Sequence, residues 1–181
     1  CYVSQWTPES LRIKNDLDDP RIYNLKKLEN NLKKYLSKFD YSIVFALRES
    51  IKSSEFNYFQ STFGSRGTIN IRSNYFDTYE LMTNSEVILT GWSTCAYEAF
   101  ADNNKVFFNP YNSKDLALFD NETCVINYDN FDLFEQKLNQ LLEMNKDDFY
   151  NKTYLDQKKI IDKSCLQNSH LKIRDMIRSY S

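Results

Sequence analysis

Residues Val87–Tyr111 read VILTGWSTCAYEAFADNNKVFFNPY: an apolar run, a Gly-Trp-Ser-Thr corner, a short helical pattern and a second apolar run. The runs Val87–Gly91 and Lys105–Asn109 are short, β-branched or aromatic, and bounded by turn residues, which is the signature of strands. Between them Ala96, Ala99 and Phe100 mark one apolar face of a helix over Thr94–Ala101. A strand, a helix and another strand in so short a span make the unit of a parallel sheet, because parallel neighbours need a crossover and a helix supplies it.

The alternation continues on both sides of this unit. Further strand candidates are Cys1–Ser4, Tyr41–Arg48, Thr68–Ser73 and Thr123–Tyr128. Helical spacing marks Asp19–Phe39, where Ile22, Leu25, Leu28, Leu32 and Leu36 recur at steps of three and four, with Asp19 and Pro20 as cap and first-turn pair. It also marks Glu49–Phe59, Phe76–Asn84 and Phe131–Met144. Strands alternating with helices predict an α/β, Rossmann-like fold: a largely parallel sheet of about six strands, helices on both faces, and C-terminal helices after Tyr128. Those last helices are Phe131–Met144, Asp148–Leu166 and Leu171–Tyr180. The reading is one domain over residues 1–181, in which 147–181 form a helical tail available to pack against another domain.

Composition narrows the function. With 181 residues, 41% of them hydrophobic and 15% aromatic, the chain suits one domain with a substantial core. Lys and Arg (23) are interspersed with Asp and Glu (25) for a net charge of -2, so the basic patch of a nucleic-acid binder is missing and no nucleic-acid partner is expected. No apolar run approaches the roughly 20 residues of a membrane helix, and CYVSQWTPES lacks the basic and apolar regions of a signal peptide, so no transmembrane segment and a cytoplasmic location are expected. Cys1, Cys95, Cys124 and Cys165 are widely spaced, and His170 is the one histidine, which argues against a zinc site and for reduced thiols. No Asp-x-Asp motif is present to chelate a metal with a diphosphate. Neither metal nor cofactor is required.

In open α/β sheets ligands bind beyond the carboxyl ends of the strands, where loops enter helices. The TGWST corner is such a loop. Gly91 permits a tight or positive-φ turn, and Ser93 and Thr94 fall at a helix start whose free N–H groups favour an anion such as phosphate. A capping box would put Glu or Gln three residues after the cap, but Ala96 and Tyr97 stand there. Glu98 instead lies at i+4 from Thr94, on the same helical face.

The segment Ser85–Tyr111 resembles the nucleotide-binding segment of GT-B glycosyltransferases, specifically the C-terminal domain of bacterial capsule and lipopolysaccharide transferases. NYFDTYELMTNSEVIL (Asn74–Leu89) and IVFALRES (Ile43–Ser50) are similar to that family's preceding helix and earlier strand, so the likeness runs from Tyr41 to Tyr128. Glu49 and Ser50 stand where many such transferases have His-Pro. The resemblance implies a donor-phosphate site at Gly91, Ser93 and Thr94, with Glu98 near the donor's ribose or sugar. It implies a nucleotide-sugar donor, a glycan or lipid-linked acceptor, and an N-terminal GT-B domain that supplies the catalytic base. It also implies that the isolated chain is inactive and that the whole enzyme is peripheral at the inner membrane. No catalytic residue is assigned within this chain.

Around the corner, Arg48 and Arg72 lie at strand ends, where a guanidinium meets a diphosphate well, and Arg48 joins the phosphate-binding set. Ser4 and Gln5 close the first strand and approach the same crevice, and Tyr111 is a candidate base-stacking ring. Two other readings remain: a sugar-nucleotide epimerase-like domain, and a non-catalytic Rossmann-like interaction module in which Ser93 only caps a helix.

Overall fold

The computed structural model describes residues 1–5, 20–47, 54–70, 77–111 and 118–160. In it the two apolar runs of the central stretch are adjacent parallel strands, β4 (Ile88–Thr90) and β5 (Val106–Phe108), joined by a helix that spans Thr94–Ala101 as expected. Before them come β1 (Tyr2–Val3), α1 (Pro20–Lys38), β2 (Ile43–Ala46), α2 (Ser54–Phe63), β3 (Gly67–Asn70) and α3 (Asp77–Thr83). The helix after β4 is α4, and α5 (Phe131–Glu143) and α6 (Lys146–Ile160) follow β5.

All five strands are parallel in the order β3-β2-β1-β4-β5. The fold is thus α/β and Rossmann-like, with helices on both faces. The sixth expected strand, Thr123–Tyr128, contracts to one parallel bridge between Phe108 and Val125. The amide of Phe108 donates to the Cys124 carbonyl at 2.8 Å and that of Ile126 to the Phe108 carbonyl at 2.9 Å. A turn built on Asn121 consumes the start of the run, since the amides of Cys124 and Val125 both donate back to the Asn121 carbonyl.

Register puts Ile69, Phe45, Tyr2, Leu89 and Phe107 in one row across the sheet, and side chains on a row share a face. On that face Phe45 packs against Phe59 and Phe63 of α2, with ring centroids 5.2 and 4.8 Å apart, and Phe107 packs against Phe134 of α5 at 5.4 Å. Between them α1 buries Leu25, Leu28, Leu32 and Leu36 of the apolar face read from its spacing, and Tyr35 beside them. Phe108 points to the opposite face and meets Tyr97 and Phe100 of α4. Phe100 also stacks on Phe119 at 4.9 Å and meets Phe149 of α6 edge-on at 5.9 Å. The described part of the C-terminal tail therefore packs against α4, burying Phe149, Thr153 and Gln157. Residues 161–181, including the third expected helix, Cys165 and His170, lie outside the described residues.

The turn after α4 answers the scarcity of glycine. Asn103 takes the left-handed conformation at φ 62°, which asparagine tolerates better than most residues. Asn104 then ties the turn back, its amide and side chain each donating to the Ala99 carbonyl at 3.0 Å. Lys105, buried at the foot of β5, donates to Glu86, whose carboxylate is exposed, and to the Met144 carbonyl at 2.7 Å, so its buried charge does not go unpaired.

Phe100→Ala removes the ring shared by α4, β5 and α6, and is expected to cost about 3–5 kcal/mol in urea unfolding. A loss below 1 kcal/mol would show that α6 does not depend on that ring.

Candidate functional site

The chain runs β1-α1-β2-α2-β3 toward one sheet edge and then returns to lay β4 on the other side of β1, which places the topological switch point between the exits of β1 and β4. Ser4 and Gln5 leave β1 there, opposite Thr90, Gly91 and Trp92. Ser4 is buried and its amide donates to the Ala46 carbonyl at 3.0 Å, which pins the exit of β1 to β2. Gln5 reaches across. Its Oε1 accepts from the Trp92 amide at 2.7 Å and lies 3.3 Å from the Thr90 hydroxyl. That hydroxyl is also 3.4 Å from the Val3 carbonyl and accepts from the Ser93 amide at 3.4 Å, so Thr90 sits at the centre of the corner.

Gly91 serves a different purpose from the one its residue type suggests. Its φ is not positive. The constraint is space: a Cβ at this position would lie 2.7 Å from Gln5 Oε1 and 3.2 Å from Leu25 Cδ2 of α1. The missing side chain lets β4 pass under the Gln5 carboxamide and beside α1.

Ser93 occupies the N-cap position of α4 with extended backbone, φ -64° and ψ 135°, yet its side chain makes no capping hydrogen bond. Elsewhere the chain caps conventionally. Asn130 Oδ1 accepts from the Leu133 amide at 3.0 Å, and Asn145 Oδ1 from the Asp148 amide at 2.8 Å. At α4 the amides of Ala96 and Tyr97 both reach the Ser93 carbonyl at 3.1 Å, while those of Thr94 and Cys95 have no partner among the described residues. The start of α4 thus presents an uncommitted hydroxyl and two donors at its positive end.

Thr94 and Glu98 are both exposed, one turn apart. The Glu98 carboxylate accepts a hydrogen bond from the Tyr79 hydroxyl of α3. That bond, with burial adding to it, holds the Tyr79 phenol protonated well above its ordinary range. Glu98 is therefore oriented by a neighbouring helix. Tyr111 is fully buried, its hydroxyl accepting from Asn31 at 3.0 Å, so it has no face to offer a base; its ring packs in the core and its backbone sits at φ 27°. Arg48 and Arg72 lie outside the described residues.

The structure accordingly brings Gln5, Gly91 and Ser93 to one corner beyond the ends of β1 and β4, buries Ser4 at the exit of β1, sets Thr94 and Glu98 along the helix that opens from the corner, and withdraws Tyr111 into the core. Sequence reasoning missed Thr90 and Tyr79. Thr90 carried a faint signal, a lone hydroxyl closing an apolar strand. Tyr79 carried none, because its partner is on another helix. Among the described residues no three His, Cys, Asp or Glu side chains gather as metal ligands, and no helix is long and apolar enough to cross a membrane. Compared with protein-family models, curated proteins and solved structures, the chain has no significant match. What defines it is a Rossmann-like sheet with a polar corner at its switch point.

Gly91→Ala is expected to cost about 1–3 kcal/mol by displacing the Gln5 carboxamide, and less than half of that in a Gln5→Ala background, where the nearest atom is gone. Equal costs in the two backgrounds, measured by urea unfolding, would place the strain elsewhere. Burial also raises the Tyr111 phenol above its ordinary value near 10. The folded chain then keeps a proton that the unfolded chain gives up, so stability holds below about pH 10 and falls as pH rises past it. Denaturation midpoints taken across that range check this, with Tyr111→Phe expected to lose less stability than the parent as pH rises; an identical loss in the two proteins would assign the pH dependence to other groups.

Proposed function

We propose that this chain is the nucleotide-sugar-binding domain of a glycosyltransferase acting in surface-polysaccharide biosynthesis. The observation that carries the reading is Ser93: it stands at the N-cap of α4, at the topological switch point, with a hydroxyl that does no capping. A serine kept only to start a helix would accept from the helix amides, as Asn130 and Asn145 do for theirs. Donor phosphate oxygens would take the Ser93 hydroxyl and the amides of Thr94 and Cys95, neutralised in part by the helix dipole. Glu98, held by Tyr79, would accept hydrogen bonds from ribose or sugar hydroxyls.

On this reading the domain binds and orients the donor and stabilises the departing nucleotide electrostatically. Activating the acceptor, a glycan or lipid-linked saccharide, falls to a second domain with its own base, and the enzyme works at the cytoplasmic side of the inner membrane. The scheme calls on no metal. The resemblance of Ser85–Tyr111 to GT-B donor domains supports it, as does the strand order, whose reversal beside β1 forms the crevice that such ligands use.

Ligand-observed NMR with CMP, UDP, GDP and ADP and their sugar conjugates tests it. One nucleotide class is expected to bind, weakened about tenfold by Ser93→Ala, the scale of one hydrogen bond to a charged group, and weakened also by Glu98→Ala. Unchanged affinity in both variants would remove the donor from this corner, and a loss of stability with no ligand bound by either variant or the parent would favour the interaction-module reading.

A further inference from the structure

The Gln5 carboxamide lies over the corner in a way that a strand-end side chain need not. Its Oε1 is 2.7 Å from the Trp92 amide nitrogen, and it fills the space that Gly91 leaves, since a Cβ there would come equally close to the same oxygen. Trp92 follows Gly91 and precedes the N-cap, so its N–H belongs to the same run of backbone donors as those of Thr94 and Cys95. Gln5 is half-buried, sits on the chain segment leaving β1, and holds that N–H through its side chain alone.

We propose that Gln5 is a specificity-determining latch: its carboxamide oxygen holds the Trp92 amide that a phosphate oxygen of the donor would otherwise take, and it must swing aside before a diphosphate seats fully. The inference rests on the donor-site reading above and changes the role of Gln5 within it, from a donor contact to a competitor. The exchange favours charged ligands. An amide bond to an anionic oxygen is roughly twice as strong as one to a neutral carbonyl, so a phosphate repays the displacement of Gln5, whereas a neutral nucleoside or free sugar does not. Gly91 is part of the device, because only a residue without a side chain leaves the carboxamide room to close.

The test compares the 181-residue chain with Gln5→Ala and Gln5→Glu, using amide hydrogen exchange at Trp92 and titration with UDP, CDP, GDP, ADP and inorganic pyrophosphate. Gln5→Ala is expected to speed exchange at Trp92 and to tighten binding of the preferred diphosphate about fivefold, the worth of one neutral hydrogen bond. Gln5→Glu keeps the reach of the side chain, strengthens its hold on the amide and repels the ligand, so it is expected to weaken binding. This variant also reads the sign should Gln5→Ala fold poorly. A purely supporting role predicts the reverse order, with Ala weakest and Glu close to the parent. That order, or a Trp92 amide equally protected without Gln5, would overturn the latch. Binding to the parent chain that Gln5→Ala leaves unimproved would discard the latch and spare the donor site. Failure of every probe on all three proteins, with the Trp92 amide freely exchanging in Gln5→Ala, would discard the donor site and the latch together.

Discussion

The sheet depends on backbone pairing to both sides of a strand only two residues long. Tyr2 faces Phe45 on one side and Leu89 on the other, the Ser4 amide donates to Ala46, and the Cys1 carbonyl accepts from Leu89 at 2.7 Å. Through these bonds β1 joins the β2-β3 half to the β4-β5 half, and its exit fixes where the switch point lies. Its side chains secure the strand as firmly as its backbone. The Tyr2 ring packs on Phe45 and Phe59, and its hydroxyl donates to Glu29, a carboxylate buried in α1 that also accepts from Tyr58 of α2 at 2.6 Å. A central strand this short positions a site accurately because each of its residues is held from several directions.

Much of the architecture was legible because the physics behind it is local. Period-3.6 leucines in α1 and β-branched or aromatic strand runs in β2, β4 and β5 identify elements from a few neighbouring residues, and their alternation implies parallel pairing. The ends of that reasoning are instructive. Thr123–Tyr128 has strand composition, but Asn121 draws the run's first amides into a turn, and composition does not report which partner a backbone amide finds. The spacing over Asp148–Leu166 marks a helix but not its neighbour: its described part is anchored by Phe149 against Phe100, a contact between positions far apart in the chain.

The candidate site was legible in outline for a similar reason. Gly91, Ser93 and Thr94 lie together in sequence, so a strand–corner–helix reading brings them together in space. Ser4 and Gln5 close the first strand and so point to the same corner, but the exact partner of Gln5, the Trp92 amide, depends on side-chain reach, which sequence pattern does not supply. Tyr111 shows the opposite error. An aromatic after a strand looks available, but the side chain of Asn31 on α1 reaches its hydroxyl and the core closes around the ring.

The bridge between Phe108 and Val125 also bears on how the chain behaves in concentrated solution. An uncovered strand edge offers its backbone to other copies and seeds aggregation. Residues 121–126 cover the β5 edge with two hydrogen bonds and bring no full strand that would present a new one. Among the described residues the other edge, β3, stays open, but it is four residues long and begins at a glycine packed tightly against Ile43 and Phe45. Among the described residues, strand-to-strand recruitment therefore has one short, poorly templating edge to use, and a bridge of a single residue pair closes the other.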